Sequence, residues 1–96
     1  MITEKDLHTC NNILGNKWNL LIIKSLLESE KRFSAIKKDI YTISDRVLSE
    51  KIKNLIENGI IETGMLYYNK TYKLTKKGRE LQNFVEALDK WSSEYC

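Results

Sequence analysis

Residues 43–61 read Ile-Ser-Asp-Arg-Val-Leu-Ser-Glu-Lys-Ile-Lys-Asn-Leu-Ile-Glu-Asn-Gly-Ile-Ile, and the rest of the chain is organised around them. Leu48, Ile52, Leu55 and Ile56 recur at the three-and-four spacing that places side chains on one helical face. Ser44 supplies an N-cap, and Asp45 a negative charge at the positive end of the helix dipole. Asn58-Gly59 tolerates a left-handed stop, after which Ile60-Ile61 opens a strand. The spacing therefore predicts a helix of about four turns over 44–58. At roughly 100° per residue, its other face carries Arg46, Glu50, Lys53 and Glu57, with Ser49 on the flank. A guanidinium, an ammonium, a hydroxyl and a carboxylate on one face can address base edges and phosphates. The same set also fits an ordinary solvated helix.

The segments on either side favour the first of these readings. Residues 33–40 predict a short helix with Phe33, Ile36 and Ile40 inward, Lys37 and Lys38 outward, and Ser34 as its cap. A link of about three residues, Tyr41-Thr42-Ile43, joins it to the 44–58 helix, which is helix-turn-helix spacing. Any helical hairpin can mimic that pattern. After Gly59 the period becomes strand-like. Residues 60–68 and 71–74 predict a hairpin, with Asn69-Lys70 as its turn and Tyr67 and Tyr68 beside it. Exposed Tyr and Lys at a loop tip suit sugar-phosphate contact, or are simply what the turn holds.

Two helices precede this unit and one follows it. Residues 2–14 form the first, with Thr3 and Asp6 placed for a capping box. Gly15-Asn16 breaks it, and residues 17–28, apolar nearly all round, form a helix buried in the core, where Trp18 anchors packing. Thr75 caps a single last helix running to about Tyr95, with Leu81, Phe84, Val85, Leu88, Trp91 and Tyr95 on one stripe. Lys76, Lys77 and Arg79 crowd its first turn, against the dipole. A broken local rule of this kind marks a candidate anion site at the helix N-terminus, and Lys31-Arg32 ahead of Ser34 repeats it.

Ninety-six residues bound the chain to one domain with one modest core. The whole carries a net charge of +3, but residues 31–79 hold 12 basic against 5 acidic residues, a net of +7, and the remainder holds 4 against 8, a net of −4. A cationic block between acidic ends suits a polyanionic partner; Lys enrichment of a solvated surface is the alternative. His8 is the single histidine, and Cys10 and Cys96 are the only cysteines. No metal set, cofactor loop or nucleophile elbow can be assembled from these, which speaks against an enzyme. No apolar run approaches the roughly 20 residues that span a bilayer, and the first residues lack a secretory pattern, so no membrane role is implied and a cytoplasmic location is expected.

Helix, helix, helix, outward-reading helix, hairpin, helix is winged helix-turn-helix order, a mainly α fold with a small β-hairpin. Here the chain resembles the HxlR family of bacterial and archaeal transcription regulators, a branch related to the MarR proteins. Residues carrying the resemblance are Leu14-Gly15-Asn16-Lys17-Trp18 with Leu20 to Ile23; Arg32-Phe33-Ser34; Ile43-Ser44 with Leu48 and Leu55; and Asn58-Gly59-Ile60-Ile61. Tyr72-Lys73-Leu74-Thr75 with Gly78 and Leu81, and Trp91, complete the set in the family's order.

The resemblance implies one domain over 1–96: dimerisation helices at 1–14 and 75–96, the helix-turn-helix at 33–58, and a wing at 60–74. It implies a sequence-specific regulator that binds double-stranded DNA as a homodimer, the 44–58 helix entering the major groove of a palindromic operator. The rival is the same fold used as a protein-interaction module without DNA binding. On the first reading, Arg46, Ser49, Glu50 and Lys53 face bases, with Ser44 and Asp45 at the start of the reading helix. Lys31, Arg32, Ser34, Lys37, Lys38, Lys70, Lys76 and Lys77 hold the backbone, with Tyr68 and Asn69 at the wing. Leu7, Leu81, Phe84, Val85, Leu88, Trp91 and Tyr95 form the dimer interface. No cofactor is implied, and no small-molecule effector can be named. Family members commonly carry an Arg where this chain has Thr63, and a longer hairpin. They usually carry a Cys-Pro near the N-terminus, sometimes redox-sensing; Cys10 is followed by Asn11 and lies too close to Trp18 to match it. Cys10 remains a candidate thiol sensor beside the reading of a cysteine packed into the dimer core.

Overall fold

A computed structural model describes residues 1–96, the side chain of Thr9 excepted. The chain runs α1 (Glu4–Leu14), α2 (Lys17–Glu28), α3 (Phe33–Asp39), α4 (Asp45–Glu57), β1 (Ile61–Leu66), β2 (Asn69–Leu74), α5 (Lys76–Arg79) and α6 (Gln82–Tyr95). Helix α2 is the hub, packing against α1, α3, α4, α6 and β2. Its Ile22, Ile23 and Leu26 are buried with Ile36, Ile40, Ile43, Leu48, Ile52, Leu55 and the strand residues Ile61 and Leu74. Each such side chain contributes about 1.5–3 kcal/mol on burial. Leu21 of α2 stays exposed, so the helix is not apolar-packed all round.

Helix starts follow cap chemistry. The Thr3 hydroxyl accepts from the Asp6 N–H at 3.2 Å while the Thr3 N–H donates to the Asp6 carboxylate at 3.0 Å, the expected capping box. Asn16, read only as a breaker, caps α2 by accepting from the Trp18 and Asn19 N–H groups. Ser44 caps α4 through the Val47 N–H at 3.1 Å. At the far end Gly59 takes φ +73°, and the Ile60 N–H donates back to the Leu55 carbonyl at 2.9 Å, the left-handed stop the sequence predicts.

Four expectations need correction. Helix α3 is capped by Arg32, with no side-chain bond, and not by Ser34. The cause lies one residue earlier: Lys31 and Tyr72 exchange both backbone hydrogen bonds, at 3.0 and 2.8 Å, so the chain leaves that bridge directly into helix. Ile56 does not complete the inward stripe of α4; it is exposed at the rim, and Val47 is the half-buried addition.

The hairpin turns at Tyr67-Tyr68 and not at Asn69-Lys70. Pairing Ile61 with Leu74 and Gly64 with Thr71 buries Ile61, Thr71 and Leu74, and that register leaves only the two tyrosines for the turn. Both take positive φ, 50° and 66°, as a primed two-residue turn requires, at a cost of about 1–2 kcal/mol each for a residue with a Cβ.

The last helix, finally, is two. Thr75 caps α5 by accepting from the Gly78 N–H at 3.1 Å, but the chain turns at Glu80-Leu81 before α6 begins. Gly78 lies so close to the Ile60 carbonyl that a Cβ there would collide with it. The turn lets Leu81 and Val85 reach the core, whereas Phe84, Leu88, Trp91 and Tyr95 stay exposed. Among the described residues no helix is long and apolar enough to cross a membrane.

Candidate nucleic-acid interface

The outward face of α4 carries Arg46, Ser49, Glu50, Lys53 and Glu57, all exposed as the spacing predicts. Arg46 Nη1 and Glu50 Oε1 lie 3.0 Å apart, one turn along the helix. An exposed pair of this kind is worth about 0.3–0.5 kcal/mol, so an incoming phosphate or base edge can open it. Lys53 forms no ion pair among the described residues.

A groove between α4 and the wing is lined by Phe33, Ile52, Ile56 and Tyr72 below, with Lys53 and Lys70 at its edges. Lys70 Nζ sits 5.4 Å from the centre of the Tyr72 ring. A neighbouring cleft sets Arg32 beside Tyr67 and Asn69. Tyr67 and Tyr68 are 91 % and 100 % exposed at the tip. The wing thus borders a groove on each of its faces: Lys53 and Lys70 line the one shared with α4, and Arg32 lines the other, beside the wing tip. Lys38, Ser34 and Lys76 are also exposed.

Three lysines predicted to face phosphate are engaged inside the chain. The Lys31 side chain is 14 % exposed, and its ammonium donates to Asp39 at 2.5 Å, to the Ser25 carbonyl at 2.7 Å and to the Ser25 hydroxyl at 3.1 Å, with Glu28 at 3.4 Å. The Ser25 hydroxyl donates to the same Asp39 oxygen at 2.6 Å. The Lys31 and Ser25 hydrogen bonds, in that order, hold the Asp39 carboxyl below its ordinary range, against a smaller opposing effect of burial. Lys37 donates to the Ile43 carbonyl and lies 3.5 Å from Asp45, bracing the α3–α4 turn.

Lys77 donates to the Asn58 carbonyl at 2.9 Å. Its charge therefore sits at the negative end of α4, a favourable placement that explains the apparent breach of the dipole rule. It lies about 20 Å from the Ser44 end of that helix.

The apolar set divides likewise. Val85 is buried and Leu81 half-buried in this chain's own core, so neither is free for an interface. Leu7, Phe84 and Leu88 are exposed, and Trp91 and Tyr95 are 56 % and 70 % exposed, their rings 5.4 Å apart. Lys24 and Asp89 pair at 3.0 Å across α2 and α6. Cys10 and Cys96 are free and exposed. Sequence reading placed Tyr67 at the tip but passed over Tyr41. Tyr41 stands exposed in the helix-turn-helix turn, and its only signal was an aromatic in a polar link.

A helix-turn-helix followed by a two-stranded wing, with Lys53 and Lys70 at the groove between α4 and the wing, is the architecture of the winged helix-turn-helix regulators of transcription. The chain belongs to the HxlR-like helix-turn-helix family, whose model matches residues 13–96. It is 36 % identical over 88 residues to the HTH-type transcriptional regulator YodB of Bacillus subtilis, covering 88 % of this chain and 79 % of that protein. A second B. subtilis regulator, YvaP, is 33 % identical over 87 residues, covering 88 % of this chain and 81 % of its length. The solved structure of reduced YodB superposes with a TM-score of 0.84 at 34 % identity, over all of this chain and 96 % of that one. A MarR-family regulator from Porphyromonas gingivalis, 24 % identical, shares the fold with a TM-score of 0.88 over all of this chain and 97 % of that one. The family and these relatives are transcriptional regulators and not enzymes, and the chain is a helix-turn-helix regulator of the same kind.

Proposed function

We propose that the chain works as a homodimer on a palindromic double-stranded operator, each subunit placing the outer face of α4 in the major groove. The observation that carries this is the groove between α4 and the wing, where Lys53 and Lys70 stand without ion-pair partners among the described residues. Arg46, Ser49, Glu50 and Lys53 address base edges, with Ser44 and Asp45 at the helix start. Arg32, Ser34, Lys38, Lys70 and Lys76 meet phosphates, and Tyr68 and Asn69 the sugar-phosphate edge. Lys31, Lys37 and Lys77 leave the phosphate set because their ammonium groups already have protein partners. Leu7, Phe84, Leu88, Trp91 and Tyr95 form the dimer contact. Anisotropy titration of labelled duplex against salt tests this: log affinity falls with log salt at a slope near −0.9 per phosphate contact. A duplex ignored at low salt contradicts the reading and favours a protein-interaction module.

A thiol response is the second reading, motivated by YodB having been solved in reduced, diamide-treated and quinone-bound forms. Here Cys10 and Cys96 are exposed thiols on α1 and at the end of α6, the elements assigned to the dimer contact. Two thiols give up two hydrogens to diamide and form one S–S bond. Diamide treatment followed by non-reducing electrophoresis yields a covalent dimer in wild type and none in Cys10→Ser; an unchanged wild-type band contradicts it.

A further inference from the structure

Lys31 occupies an unusual place: its backbone belongs to the wing and its side chain to the helices. The main chain exchanges two hydrogen bonds with Tyr72 of β2, and the preceding carboxylate, Glu30, accepts from the buried Thr71 hydroxyl on the same strand. The ammonium reaches the opposite way, to Asp39 at the last turn of α3 and to Ser25 inside α2. An ammonium has three N–H groups, and Asp39 with the two Ser25 oxygens takes all three at hydrogen-bond distance. The next residue, Arg32, is the α3 cap and is exposed beside the wing tip.

We propose that Lys31 and Asp39 are positioning residues for DNA binding: one ammonium locks the wing to the end of α3, fixing the distance between wing and reading helix and setting Arg32 at the DNA edge. This rests on the DNA-binding reading above. A wing that shifts relative to α3 must either break the Lys31–Tyr72 bridge or pull the ammonium off Asp39 and Ser25, leaving Asp39 with the Ser25 hydroxyl as its one side-chain donor among the described residues. Lys31 therefore serves the interface without touching it.

Substituting Asp39 separates this role from the obvious alternative by sign. Were Lys31 a phosphate contact restrained by Asp39, Asp39→Asn would free the ammonium, remove a negative charge and tighten binding. Lys31→Met would then lower the salt slope by about 0.9. As a positioning pair, both substitutions weaken binding about tenfold with the salt slope unchanged. The double variant is little weaker than either single one, because the two act as a unit.

The measurement is anisotropy with a duplex selected from a random pool on wild-type protein, at several salt concentrations and at a temperature where circular dichroism shows every variant folded. In parallel, amide spectra of the free proteins show Tyr67 to Lys70 shifted in both variants, which a lost phosphate contact does not produce. Tighter binding by Asp39→Asn, or a reduced slope for Lys31→Met, overturns the proposal while leaving the DNA reading intact. Failure of the wild type to hold any duplex removes both.

Discussion

Helices α4 and α6 are nearly equal in length and were both read as amphipathic, yet they treat their apolar faces differently. In α4 the stripe Leu48, Ile52 and Leu55 is covered by this chain, and what remains outside is charged or polar apart from Ile56 at the rim. In α6 only Val85 is buried, and what remains outside is Phe84, Leu88, Trp91 and Tyr95. An isolated surface tolerates scattered apolar residues, but four of them along a single helix, three aromatic and two of these in contact, form the kind of patch that marks an interaction face. On the proposed function the two faces take different partners: a polyanion for the charged outside of α4, and a second apolar face for α6.

The strongest challenge to this division is Trp91→Glu, which buries a charge in the proposed α6 contact. Sedimentation should show a monomer, and duplex affinity should fall by about a hundredfold, because two tethered readers bind far better than one. A dimer that survives the change breaks the assignment of α6. Next in size, Lys53→Ala should cost about 1–3 kcal/mol on the selected operator and much less on random duplex, as a base contact does. Equal losses on both would turn Lys53 into a phosphate contact. Lys37→Ala should instead loosen the α3–α4 turn, lowering thermal stability along with affinity.

The smallest effect concerns acid. The folded state holds Asp39 ionised below the ordinary aspartate range, so its contribution is present above that range and is lost as pH falls through the lower folded value. Asp39→Asn should flatten the acid end of a stability–pH profile and show its full loss at neutral pH, where the ionised carboxylate contributes. A profile parallel to wild type would mean the pair carries no linkage.

Local chemistry made much of this legible. The limits of α2 and α4 follow from Gly15-Asn16, Ser44 and Asn58-Gly59, all decided within a few residues of chain. The wing turn was misread because register depends on which strand residues the core covers; burial of Thr71 and Leu74 outweighed the ordinary turn preference of Asn69. The break at Glu80-Leu81 was invisible for a similar reason, since it seats Leu81 and Val85 against a core built from distant residues. Nothing in sequence separates Lys31, Lys37 and Lys77 from Lys38, Lys53 and Lys70. Lys31 finds Asp39 eight residues on, and Lys77 finds Asn58 nineteen residues back, and in neither case do the two residues share a helix. The cationic block was real, but only tertiary structure sorts its braces from its contacts.

Amide spectra of the labelled protein with and without the selected duplex test the division between α4 and α6 most directly. The account predicts shifts concentrated at Arg32, along the Ser44 half of α4 and at Tyr67 to Lys70, with α6 unmoved by duplex and perturbed only on dilution to monomer. Shifts centred on Phe84, Leu88 and Trp91, with α4 and the wing silent, would contradict it.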